Sequence, residues 1–162
     1  MQEVELVLRF AAHFHLLDIG EQRETDQVLD AFLNDFVDKR SLNFAEDVWT
    51  RIEEGFEKAM RYAPLVFGEH AFRRYEGVGA KKSINRGLFE TQAVCLALLD
   101  DEKLTYLSTR QEEVLDALAK ETKERGQFRT ALASGTGKTN ATNTRLEVVG
   151  SILRRIVDDR KH

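Results

Sequence analysis

The chain has one cysteine, one proline, one tryptophan and two methionines in 162 residues. A single cysteine, Cys95, cannot close an internal disulfide, which fits a reducing cytoplasm. Set in an apolar stretch, it reads as a small buried hydrophobe rather than a reactive thiol. The one proline, Pro64, disfavours helix at Ala63 and is expected to end the helix before it. No apolar run reaches the ~18–20 residues that a membrane helix needs. Met1 leads into a charged amphipathic pattern rather than a signal peptide, so neither a membrane nor export is expected. Basic charge is not in excess: the formal net charge is −4, and no global field draws the chain to nucleic acid. There is no internal repeat, no low-complexity segment and no long period-2 pattern. The four histidines, His13, His15, His70 and His162, are scattered and form no H-E-x-x-H or His/Cys cluster. Neither a metal nor a cofactor is expected from such spacing.

What remains is an all-α pattern. Hydrophobic residues are 42% and charged residues 32%, a globular balance. A chain of this length buries roughly 70% of its unfolded surface and folds without disulfide or metal. Residues 1–162 are expected to form one domain, a bundle of about six or seven helices around a central helix over 83–99. In that stretch Ile84, Leu88 and Phe89 define an apolar side, and Asn85, Arg86 and Glu90 a polar one. From Ala93 to Leu99 it is apolar all round, the mark of a surrounded helix.

Before it, Val4, Val7, Ala11 and Phe14 make an inward stripe over Glu3–Leu17, closed by Gly20. A second helix is predicted from about Asp26 to Lys39, with Thr25 as N-cap and Leu29, Phe32, Leu33, Phe36 and Val37 as stripe. Asn43 and Glu46 have capping-box spacing before a third, whose stripe runs from Phe44 to Met60. Leu65–Tyr75 reads as an ordered connection that drops Phe67 and Phe72 into the core, and 77–82 as a surface loop. Beyond the central helix, Asp100-Asp101-Glu102 reads as a solvated turn in a connection. Thr109/Glu112 and Thr144/Glu147 look like capping boxes opening two more helices, with a short helical piece over Phe128–Ala133 between them. The charged tail, 154–162, is expected to fray.

Two basic clusters stand out: Arg73, Arg74, Lys81, Lys82 and Arg86, and Arg154, Arg155, Arg160 and Lys161. Each reads as a solvated face or as a phosphate track. Ser134-Gly135-Thr136-Gly137-Lys138-Thr139 invites comparison with a P-loop, but the first glycine should stand at position 132, which is Leu132. No hydrophobic strand precedes it either. A weaker option is an anion held by Lys138 and the start of the last helix. The candidates for nucleic-acid or anion binding are thus Arg73, Arg74, Asn85, Arg86, Lys138 and Arg145. No catalytic residue is assigned.

Several phrases recur in a known order. They are Val4-Glu5-Leu6-Val7-Leu8-Arg9-Phe10, Phe32-Leu33-Asn34-Asp35-Phe36, Phe56-Glu57-Lys58-Ala59 and Val66-Phe67-Gly68 with Ala71-Phe72-Arg73. Asn85-Arg86-Gly87-Leu88-Phe89-Glu90 and the Thr-rich loop leading to Arg145 follow. In this order the chain resembles the helical second half of the GmrSD-type restriction proteins, the domain-of-unknown-function family two-six-two. The resemblance implies a helical scaffold in prokaryotic defence against foreign DNA. In that family nucleotide hydrolysis belongs to a preceding ParB-like domain with an Asp-Gly-Gln-Gln-Arg motif, and nuclease activity to a His-Asn-His-type domain. This chain matches neither, so no catalytic residue carries over. The expectation is a non-catalytic module, a fragment or split subunit whose first residues already belong to a core helix, with a ParB-like domain as partner. The alternative is a nucleic-acid-binding module using Arg73–Arg86 and the Lys138 loop.

Overall fold

A computed structural model describes residues 2–134 and 137–160. Gly135 and Thr136 of the glycine loop, and Lys161 and His162 of the tail, lie outside the described residues. Eight α-helices are present among those described: α1 (Gln2–Asp18), α2 (Leu29–Asp35), α3 (Glu46–Phe67), α4 (Arg86–Ala97), α5 (Asp101–Ser108), α6 (Gln111–Glu124), α7 (Gly126–Ala133) and α8 (Thr139–Asp159). A π-helical turn over Phe36–Arg40 and a 3-10 turn over Ser41–Asn43 extend α2. No described residue belongs to a strand; Arg73 and Ile84 make one isolated antiparallel bridge.

Helix α4 is the axis, packed against α1, α3 and α8. It is shorter than the 83–99 stretch. Asn85 opens it by accepting the Leu88 N–H on its side-chain oxygen at 2.9 Å. Every residue from Gly87 to Val94 is buried, including Glu90, Thr91 and Gln92. Glu90 is therefore not on a polar outer side, as its sequence neighbours suggest.

Pro64 does not end α3. The ring removes only the Pro64 N–H, and the chain continues for three more residues because Ala63, Val66 and Phe67 are completely buried. Gly68, at φ +56°, stops the helix instead. From α6, Gln111 donates Nε2 to the Pro64 and Leu65 carbonyls at 3.3 and 3.0 Å, covering acceptors at the helix end. The predicted caps shift likewise. Val28, Ala45, Arg110 and Lys138 occupy the N-cap positions of α2, α3, α6 and α8, with no side-chain cap. Asn43 donates back to the Lys39 carbonyl, and Thr109 to that of Tyr106. The supposed connection after Asp100 is α5, where Asp100 accepts the Lys103 N–H at 2.9 Å.

In α1 the predicted inward stripe splits. Ala11 and Phe14 are buried, whereas Val4 and Val7 are 72% and 45% exposed. Nothing described packs over the first two turns on that side.

Candidate functional site

Three distant stretches meet inside the bundle. Arg9 of α1, Glu90 of α4 and Arg145 of α8 are all buried. The Arg145 guanidinium donates Nη2 to Glu90 Oε1 at 2.9 Å, and the opposite oxygen, Oε2, lies 3.6 Å from Arg9 Nη1. Arg9 also donates Nε and Nη2 to Glu5 Oε1, at 2.9 and 2.7 Å. The other Glu5 oxygen takes Arg86 Nη1 at 3.3 Å. Charge therefore alternates Arg86, Glu5, Arg9, Glu90, Arg145 from the surface into the core. Such a chain satisfies ions that burial alone would make costly.

Neutral groups complete the shell. Thr142 Oγ1 accepts from Arg145 at 3.1 Å and reaches Glu90 at 3.4 Å. Thr91 Oγ1 accepts Arg145 Nε at 3.3 Å and donates to the Gly87 carbonyl at 2.7 Å. Gly87 is required here, because a Cβ would lie 2.8 Å from Arg145 Cζ. Arg145 Nη1 and Asn85 Nδ2 donate, each at 2.9 Å, to the carbonyls of Ala131 and Leu132 at the end of α7. Two of the sequence candidates thus converge on one helix terminus. Burial pulls the Arg145 guanidinium below its ordinary value, and Glu90 draws it back.

The remaining candidates sit elsewhere. Arg73 donates to the Lys82 carbonyl at 2.6 Å. Arg74 and Lys82 share Glu76, at 3.5 and 3.1 Å. Lys138 is exposed, beside Asp26 and Asp30 along a separate depression.

A cavity of about 540 Å³ adjoins the buried cluster. His13, Arg23, Cys95, Asn143 and Arg154 contribute to its wall, with six leucines. His13 and Arg23 are only 3% and 6% exposed. Both pack on Phe32: the His13 ring centroid lies 4.7 Å away and the Arg23 Cζ 5.3 Å. His13 Nδ1 is 2.9 Å from the Arg9 carbonyl. A carbonyl only accepts, so Nδ1 carries the proton, and Nε2 is a buried acceptor with no partner. Burial holds this imidazole below its ordinary pKa, hence neutral near pH 7. Arg23 donates Nη2 to the Gln27 and Gly137 carbonyls, the latter at 2.8 Å, while its Nε and Nη1 have no partner.

Compared with models of protein families, with curated proteins and with solved structures, the chain matches none.

The sequence offered little warning of this site. Arg9 and Arg23 carried no motif of their own, and Glu90 read as part of a polar side. The usable signal was the run Glu90-Thr91-Gln92 inside a stretch otherwise apolar enough to be surrounded. Among the described residues no group of three or more His, Cys, Asp or Glu is placed to hold a metal ion. None of the helices is long and apolar enough to cross a membrane, again among the described residues.

Cys95 gives a direct probe of the cavity wall. Cys95 is only partly buried, but desolvation by its apolar neighbours pushes the thiol up to about 12. At pH 8 its thiolate fraction is then roughly a thousandfold below that of an ordinary cysteine. Alkylation by iodoacetamide should be slower than that of glutathione by about that factor. A rate within tenfold of glutathione would contradict the assignment.

Proposed function

We propose that the chain is a non-catalytic helical module of a prokaryotic DNA-restriction system, and that it packs against a ParB-like nucleotide-hydrolysing domain. The observation that carries this reading is the α1 stripe. Ala11 and Phe14 bury one half of it in the bundle, and Val4 and Val7 continue it into solvent. An apolar seam that runs on past its partner is suited to a second body. Glu5, on the same turns, pairs with Arg86 at the start of α4 at 3.3 Å, so this surface adjoins the central helix. The phrases that resemble the restriction family supply Arg9, Glu90 and Arg145. In this chain those residues close a core rather than present groups to a substrate, which suits a scaffold. Nucleic-acid binding through Arg73–Arg86 and Lys138 is the weaker reading, since Glu76 and Glu5 already pair with Arg74, Lys82 and Arg86.

Co-expression with the ParB-like domain encoded in the same genome tests the reading. The two should co-purify, and Val4→Asp with Val7→Asp should abolish it while leaving the helical circular dichroism unchanged. Absence of co-purification, or co-purification indifferent to both aspartates, would refute docking through α1.

A further inference from the structure

The leucine-walled cavity has an accessible side. Leu17, Leu98, Leu99 and Leu146 on its wall are partly or largely open to solvent. Its volume, about 540 Å³, falls within the roughly 300–1,000 Å³ of small-molecule pockets. The unpartnered nitrogens of His13 and Arg23 have almost no accessible surface, so neither meets a molecule in this space. The cation that can is Arg154.

Arg154 is exposed and borders the cavity from α8. Its guanidinium lies back over Gly150, also on the wall: a Cβ at 150 would stand 3.1 Å from Nη1. Its charge is felt at Cys95 on the same wall, where it draws the thiol down against desolvation. That charge is unmet. Arg154 Nη2 donates to Ser151 Oγ at 3.3 Å, and no carboxylate lies within ion-pair distance of it among the described residues. Glu147, the acidic residue of the wall, is held by Arg125 at 3.0 Å. Gln22 and Asn143, both exposed, add amide groups. An accessible apolar wall that carries one uncompensated cation favours a molecule apolar at one end and anionic at the other.

We infer that this cavity binds a medium-chain organic acid, its hydrocarbon body on the exposed leucines and its carboxylate on Arg154. The cation sets the sign of the head group, and the leucines set the need for a chain. An alkylammonium of equal length meets the same wall with the wrong charge. A short acid meets the charge without the wall. The two contributions come from separate elements, Arg154 from α8 and Leu98 from the C-terminal end of α4, so each can be removed while the other stays. This assignment is independent of docking through α1, whose exposed valines do not line the cavity.

The test is calorimetric titration of the whole chain with octanoate, butyrate, octylammonium and octan-1-ol. Octanoate should bind saturably, one per chain. Butyrate should be weaker by roughly a hundredfold, the worth of four buried methylenes. Octylammonium should be weaker than octanoate by roughly tenfold or more, since it loses an ion pair and gains a repulsion. Arg154→Gln should weaken octanoate by roughly fivefold, the upper worth of an exposed ion pair, and leave octan-1-ol unchanged. Arg154→Glu should reverse the order of octanoate and octylammonium. Leu98→Asn should instead weaken octanoate and octan-1-ol alike. Arg154 is exposed and Leu98 is 45% exposed, so all three variants should keep the helical circular dichroism. Octanoate should also slow alkylation of Cys95 further, a readout on the cavity wall itself. No saturable binding, octylammonium as tight as octanoate, an order unchanged by Arg154→Glu, or binding untouched by Leu98→Asn would each overturn the assignment.

Discussion

Replacing Arg145 with alanine is expected to lower the free energy of unfolding by about 3–5 kcal/mol, the usual cost of stripping one partner from a buried ion pair. The side chain has no exposed surface, and its loss leaves Glu90 with only the longer contacts to Arg9 at 3.6 Å and Thr142 at 3.4 Å. The same truncation uncovers the Ala131 carbonyl at the end of α7 and takes a donor from Thr142 and from Thr91. Urea unfolding followed by helical circular dichroism measures the loss. The pair Arg145→Met with Glu90→Gln separates charge from packing. In that double variant Glu90→Gln removes the buried carboxylate and Arg9 keeps Glu5, so no unpaired buried charge remains. Its loss should be smaller than the sum of the two single losses by about 1–3 kcal/mol. A loss below 1 kcal/mol for Arg145→Ala would mean that the cluster is not stabilised as described.

Gly87→Ala should destabilise even though alanine is the better helix former by ~1 kcal/mol. The added carbon would stand 2.8 Å from both Cζ and Nε of Arg145. That guanidinium is held by Glu90, Thr91, Thr142 and the Ala131 carbonyl, so it cannot swing away as a surface arginine would. Overpacking at such a place costs about 1–3 kcal/mol net. Gly126→Ala is the matched control. Gly126 is also helical, but a Cβ there would meet nothing within 4 Å. It should stabilise by about 0.4–1 kcal/mol. Opposite signs from the same chemical change would isolate the steric role of Arg145; equal signs would deny it.

These two sites also mark how far the sequence could be read. Helices with a long apolar period, such as α3, α6 and α8, were legible because a 3.6-residue repeat is a local property. Phe67 is completely buried as expected, but as the last residue of α3 rather than in a connection beyond it, because Pro64 does not end the helix. Helix α5 was missed. It is eight residues long and buries only Leu104 and Leu107, too few for a period to stand out against Asp101, Glu102 and Lys103. Capping-box spacing misled at three places because Ser, Thr and Asn also bond backwards to carbonyls, as Asn43 and Thr109 do. Val4 and Val7 fit the stripe, but periodicity states which side is apolar and not how far a partner extends along it. Glu90 was illegible for a different reason. Its polarity predicts solvent unless one knows that Arg145, 55 residues on, supplies the counter-charge.

That spacing also sets an order of events during synthesis. When Glu90 leaves the ribosome, α8 does not yet exist. Translation at about 5–20 residues per second separates the two partners by roughly 3–11 s. Throughout that interval the central helix holds a carboxylate that only Arg9 can meet, and α7 has no cap from Arg145. Closing the core is thus deferred to the arrival of the last helix, and a chain stalled before residue 145 is left open at its centre, where a protease or a chaperone can recognise it.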